Sequence, residues 1–121
     1  MPGRFVEASE VKEIRAEWWD PDESVTIKRF SYGDRQFFMG EILSDGARLK
    51  GRDVSVDISV GRMNLAVLER GVVRWTLKRA DGSVAPLTPA QIAQLAEKDA
   101  EFILSELQRF NPTQDEEAKN S

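Results

Sequence analysis

Asp53 and Asp57 are the first place to look for chemistry in this chain. In "DVSVDISV" (residues 53–60) they share the polar side of an alternating run, with Val54, Val56, Ile58 and Val60 on the other. Such a carboxylate pair could do general acid–base work or hold a magnesium ion. The plainer reading, that both face water and keep one side of a strand soluble, is the stronger one. The chain has no histidine and no cysteine. Any acid or base would therefore come from Asp, Glu, Lys or Tyr32, and zinc would lack its usual ligands. "DPDES" (20–24) and "DEE" (115–117) read as acidic loops without the turn glycine of a calcium loop. "YGDR" and "SVGRMN" carry single glycines, which do not make a phosphate loop. No catalytic residue, metal ligand or cofactor is expected.

The aromatic residues say more. Trp18 and Trp19 are neighbours, as are Phe37 and Phe38, and adjacent residues cannot both occupy the centre of one core face. One member of each pair should be partly exposed. Either the pairs fill a broad apolar stripe, or the exposed members anchor a protein partner. The binding residues expected on the second reading are Trp19 and Phe37, joined by Leu107 and Phe110 at the far end of the last helix, where a core should be thinning.

The elements that would carry them can be read coarsely. The chain is long enough for one domain with its own core, at 121 residues. Residues 1–23 form an N-terminal segment in which Val11, Ile14 and Trp18 permit a short helix, stopping before Asp20-Pro21. The domain proper spans 24–111. "SVTIKRF" predicts a half-buried strand, and Ser31 can cap a helix with Asp34 in its first turn and Phe38 and Ile42 inside. "SDGARLKG" should end that helix in a loop. Residues 53–60 predict a second strand.

"GRMNLAVLERGVVRWTL" is ambiguous: "ERG" could turn a hairpin, but the spacing of Leu65, Leu68 and Val72 favours a helix over 62–73. An extended piece follows over 75–78. "ADGS" is a tight turn. Thr88, Pro89 and Gln91 open a helical run with a capping box, which weakens near Glu97 and could split in two there. Asn111-Pro112 ends it, and residues 112–121 read as a disordered acidic tail. The expected fold class is therefore α+β, a short sheet from residues 24–30, 53–60 and 75–78 with helices on one side.

Charge narrows the partners. The chain carries 17 Lys/Arg and 21 Asp/Glu, and residues 1–96 balance, so the whole excess of acid lies from Glu97 onward. Arg48, Lys50 and Arg52 lie between acids and read as a solvated loop, so nucleic acid is not an expected partner. The apolar runs are too short for a membrane span, and "MPGRFVEASEVKEIRAEWWD" lacks a signal-peptide core. The expected compartment is cytoplasm.

In order along the chain, "EWWDPDESVTIKRFSYGDRQ", "LERGVVRWTLKRADGSVAPLTPAQIAQL" and "DAEFILSELQRFNP" resemble the tail assembly chaperones of long-tailed bacteriophages. The residues that carry the resemblance are Val25 to Asp34, then Trp75, Leu77, Asp81 and Gly82, then Pro-Leu-Thr-Pro and the acidic Phe-Ile-Leu helix. Together they cover roughly residues 15–112. The resemblance implies a non-enzymatic protein of the host cytoplasm that keeps the helical tape measure protein soluble and recruits tail-tube subunits. It implies absence from the finished virion and allows self-association. A structural virion component, such as a head–tail connector or minor tail protein, is the alternative. Family members also occur in a longer frameshifted form. Ala118-Lys119-Asn120 permits, without requiring, a slippery run of adenines at which such a shift could occur.

Overall fold

The computed structural model describes residues 3–48 and 56–112, with side chains described for 3–40 and 61–112. The fold is α+β: a three-stranded antiparallel sheet in the order β1-β2-β3, with four helices. The strands are β1 (Val11–Ile14), β2 (Val25–Lys28) and β3 (Val72–Trp75). The helices are α1 (Tyr32–Arg48), α2 (Val56–Gly71), α3 (Pro89–Ile92) and α4 (Glu97–Phe110).

β2 is the centre of the sheet. Val25 and Ile27 are fully buried and, with Ile14, Val72, Ile103 and Leu107, they belong to the core beneath α2 and α4. Pairing sets Ile14 opposite Val25, and Val25 opposite Trp75. The chain then crosses back in a hairpin that brings Lys78 to Val84. There Gly82 adopts φ +87, a left-handed conformation that glycine takes without steric cost. Asp81 Oδ1 accepts from the N–H and the hydroxyl of Ser83 to close the turn.

Four expectations about the elements are corrected. Residues 11–14 are a strand, because the β-branched Val11 and Ile14 complete the sheet against β2, while a helix there would be short. The N-terminal segment thus supplies one edge of the sheet. Residues 56–60 are the start of α2, not a strand. The alternation of "VDISV" is a local preference, and a helix already favoured over 62–71 propagates back through it cheaply once nucleated. Residues 53–55, including Asp53, lie outside the described residues, and the Asp57 side chain is not described. Helix α1 runs through Ser44–Arg48 instead of ending in a loop there. The strand before the hairpin starts at Val72, three residues earlier than expected. The proposed tail, 112–121, lies outside the described residues after Pro112.

The caps agree with the residues that signalled them. Ser31 and Asp34 form a reciprocal capping box: Asp34 N–H donates to Ser31 Oγ at 3.2 Å, and Ser31 N–H to Asp34 Oδ2 at 3.0 Å. Thr88 Oγ1 accepts the Gln91 N–H at 3.2 Å, with Pro89 in the first turn. The return half of that second box is not made, because Gln91 Oε1 accepts from Arg79 instead. The helical run does divide, into α3 and α4. Asn111 terminates α4.

Candidate functional site

Helices α1, α2 and α4 meet over an apolar groove of about 370 Å³. Its walls are Phe38 and Met39 of α1, Met63 and Val67 of α2, and Leu104 of α4, with Phe30 at one end. Met39 is 49% exposed at the lip. Arg35, Gln108 and Asn111 give the groove a polar border. Unbranched thioether side chains repack at low cost, so a groove walled by two methionines can accept apolar side chains of differing shape.

The groove's position follows from two anchors. The Asp34 carboxylate is buried and ion-paired with Lys28 at 3.0 Å and with Arg70 at 3.7 Å, so one residue ties α1 to β2 and to α2. Burial pushes this carboxyl up. The Ser31 N–H and the Lys28 ammonium outweigh that and hold it below the ordinary carboxylate range. The second anchor is Asn111, whose side-chain amide joins the end of β2 to the end of α4.

A second surface lies on the other side of α4. Trp18 is 46% exposed, and its indole N–H donates to Asp99 Oδ1 at 2.7 Å. The Trp19 indole donates to the same oxygen at 2.8 Å. Both rings meet Phe102 edge-on, with centroids 5.5 and 5.3 Å away. Beside them Lys78 is clamped by Asp20 at 3.2 Å and Asp22 at 2.9 Å. The hydrogen bond that the Lys78 ammonium donates to Asp22 is the main reason Lys78 is held above its ordinary range, and the same bond lowers Asp22.

The four residues expected to bind a partner do not converge. Trp19 packs against the core and lines the hollow by Asp99, and its neighbour Trp18 is the exposed member of the pair. Phe37 is half-buried, with the Arg70 guanidinium 4.2 Å from its ring centroid and Phe38 edge-on to it. Leu107 is 0% exposed in the core rather than at a thinning helix end, and it forms part of the groove's lining. Phe110 is half-buried against the core, with Arg29 4.3 Å from its ring centroid and the Arg29 guanidinium donating to the Phe110 carbonyl. The core therefore continues to the last turn of α4, because β2 and the preceding Arg29-Phe30 segment run beneath it.

Met39, Met63, Val67 and Leu104 were not singled out by sequence reasoning. Val67 and Met63 lie one helical turn apart on α2, which is the spacing of any core-facing stripe. Nothing in that spacing marks the stripe as open to solvent. Among the described residues, no group of three or more acidic, histidine or cysteine side chains could hold a metal ion, and no helix is long and apolar enough to cross a membrane. No family model, no curated protein and no solved structure matches the chain.

Proposed function

We propose that the protein is a non-enzymatic tail assembly chaperone of a long-tailed bacteriophage, acting in the host cytoplasm on the tape measure protein. The observation that carries this reading is the groove between α1, α2 and α4. It is apolar along its walls, polar at its border and faced by Met39 and Met63. A tape measure protein displays long apolar helical stripes before the tube encloses it. A helix laid against such a groove buries one stripe at i, i+3 and i+4. Methionine walls fit many successive stripes without being cut to any one, and a groove of this size holds each weakly enough to release it when tube subunits arrive. The resemblance over roughly residues 15–112 supports the same role. The segment that opens it, Val25 to Asp34, is here a core strand followed by the capping box and ion-pair anchor of α1.

Co-expression tests the reading. A fragment of the tape measure protein that pellets when made alone should stay in the supernatant when made with this chain. Mass spectrometry of purified virions should then find the tape measure protein and not this chain. A fragment that pellets regardless, or stoichiometric recovery of this chain in virions, overturns the chaperone role. The second result would install the virion-component role in its place.

A further inference from the structure

Two apolar hollows adjoin α2, and they differ in charge. Among the described residues, the only charge lining the groove shared with α1 is Arg35. The other hollow, about 260 Å³, is shared with α3 and walled by Leu65, Leu68 and Ile92. Its charges are both acidic, Glu97 and Glu101 of α4. Asn64 and Leu104 line both hollows, so the two meet there. An apolar stripe by itself gives a binding helix little reason to choose between them.

None of these three charges is answered. Among the described residues, Arg35, Glu97 and Glu101 make no ion pair. The exposed Arg35 guanidinium makes one contact, to the Asn111 carbonyl at 3.5 Å, which is longer than an ordinary hydrogen bond. That contact has a plain use, since a cation suits the carbonyl end of α4. It leaves most of the guanidinium's donors unused.

A fork of unused donors at the border of an otherwise uncharged groove complements a carboxylate, which it can hold by two parallel bonds. A helix covering Arg35 excludes water and strengthens that pair. The same carboxylate would be repelled in the other hollow by Glu97 and Glu101. A lysine in its place would be repelled by Arg35.

We propose that Arg35 selects, among apolar partner helices, those that carry an aspartate or glutamate one turn beyond the apolar stripe. The inference rests on the groove binding helical stripes, as the proposed function requires, and adds the charge that the stripe must bring.

The test is a titration of the full chain, ¹³C-labelled at its methionine and leucine methyls, with synthetic amphipathic helical peptides. The peptides share one leucine stripe and differ only one turn beyond it, where they carry glutamate, glutamine or lysine. Affinities are read from the Met39 and Met63 methyl shifts. At low salt the glutamate peptide should bind about fivefold more tightly than the glutamine peptide, and the lysine peptide more weakly than either. Raised salt should shrink that preference. The glutamate peptide should leave the Leu65 methyls in place. Arg35 is exposed on α1, so its variants should fold. Arg35→Gln should bring the affinities together, and Arg35→Glu should reverse their order. Equal affinities in wild type, with Met39 and Met63 shifting, overturn the inference and leave the groove reading standing. An order that survives Arg35→Gln does the same, as do glutamate-peptide shifts at Leu65 in place of the methionines. No methionine shift with any peptide would remove the groove reading, and this inference with it.

Discussion

Asn111 Oδ1 accepts the backbone N–H of Phe30 at 2.7 Å. Its Nδ2 donates to the Lys28 and Leu107 carbonyls, both at 3.1 Å. Asn111 is 7% exposed, so water reaches these bonds poorly. Asn111→Ala would leave the Phe30 N–H and the Lys28 carbonyl unpaired in the interior. It should cost about 3 kcal/mol, read as a lower urea midpoint with an unchanged slope. A loss below about 0.5 kcal/mol would mean the amide joins nothing.

Gly71 touches Leu107 closely. A Cβ built there would lie 2.7 and 2.8 Å from the Leu107 δ-methyls and 3.1 Å from Phe30 Cζ. Leu107 is fully buried, so its δ-methyls can yield only by shifting toward the groove they line. Gly71→Ala should therefore destabilise the fold by about 2 kcal/mol, although alanine is the better helix former. Thermal unfolding of the variant checks this, and a raised Tm would contradict the packing described.

Asp34 contributes to stability against acid. Its folded-state carboxyl is held below the ordinary value of 3.8, so its contribution is fully present above that value. The contribution is lost as pH falls through the lower folded value. Asp34→Asn should cost about 2 kcal/mol at pH 7 through the lost cap and ion pairs. The gap between variant and wild type should narrow below about pH 4. A gap that is constant from pH 7 to pH 3 would show that the charge contributes nothing.

Much of the frame was legible from local chemistry. Ser31 with Asp34, Thr88 with Pro89, and Asn111 before Pro112 mark helix ends by side-chain chemistry that acts within a few residues, and all three mark true ends. β2 was legible because Val25 and Ile27 alternate with polar neighbours. The failures fall where the outcome depends on distant residues. Val11 and Ile14 join a sheet because β2 is there to pair with, and residues 56–60 extend a helix that starts from their C-terminal side. The site was less legible. Adjacency of Trp18 and Trp19 indicates that one is exposed, but Asp99, 80 positions away from Trp19, decides how both are held. Leu107 and Phe110 were placed at a thinning core, and the strand that thickens it lies at the other end of the chain. The groove arises from three helices at once, and no single stretch encodes it.

The central claim is that the groove binds apolar helical stripes of the tape measure protein, and isothermal titration of a tape measure fragment into wild type, Met39→Glu and Val84→Ser tests it most directly. Met39 is half exposed at the groove lip, and Val84 is 57% exposed in the hairpin after β3, outside the groove. Neither substitution disturbs the core, so all three proteins should unfold at similar temperatures. Met39→Glu places a charge where an apolar stripe must lie. It should weaken binding about tenfold or more, with Val84→Ser within about twofold of wild type. Wild-type affinity in Met39→Glu, or no heat of binding to wild type at all, would contradict the account.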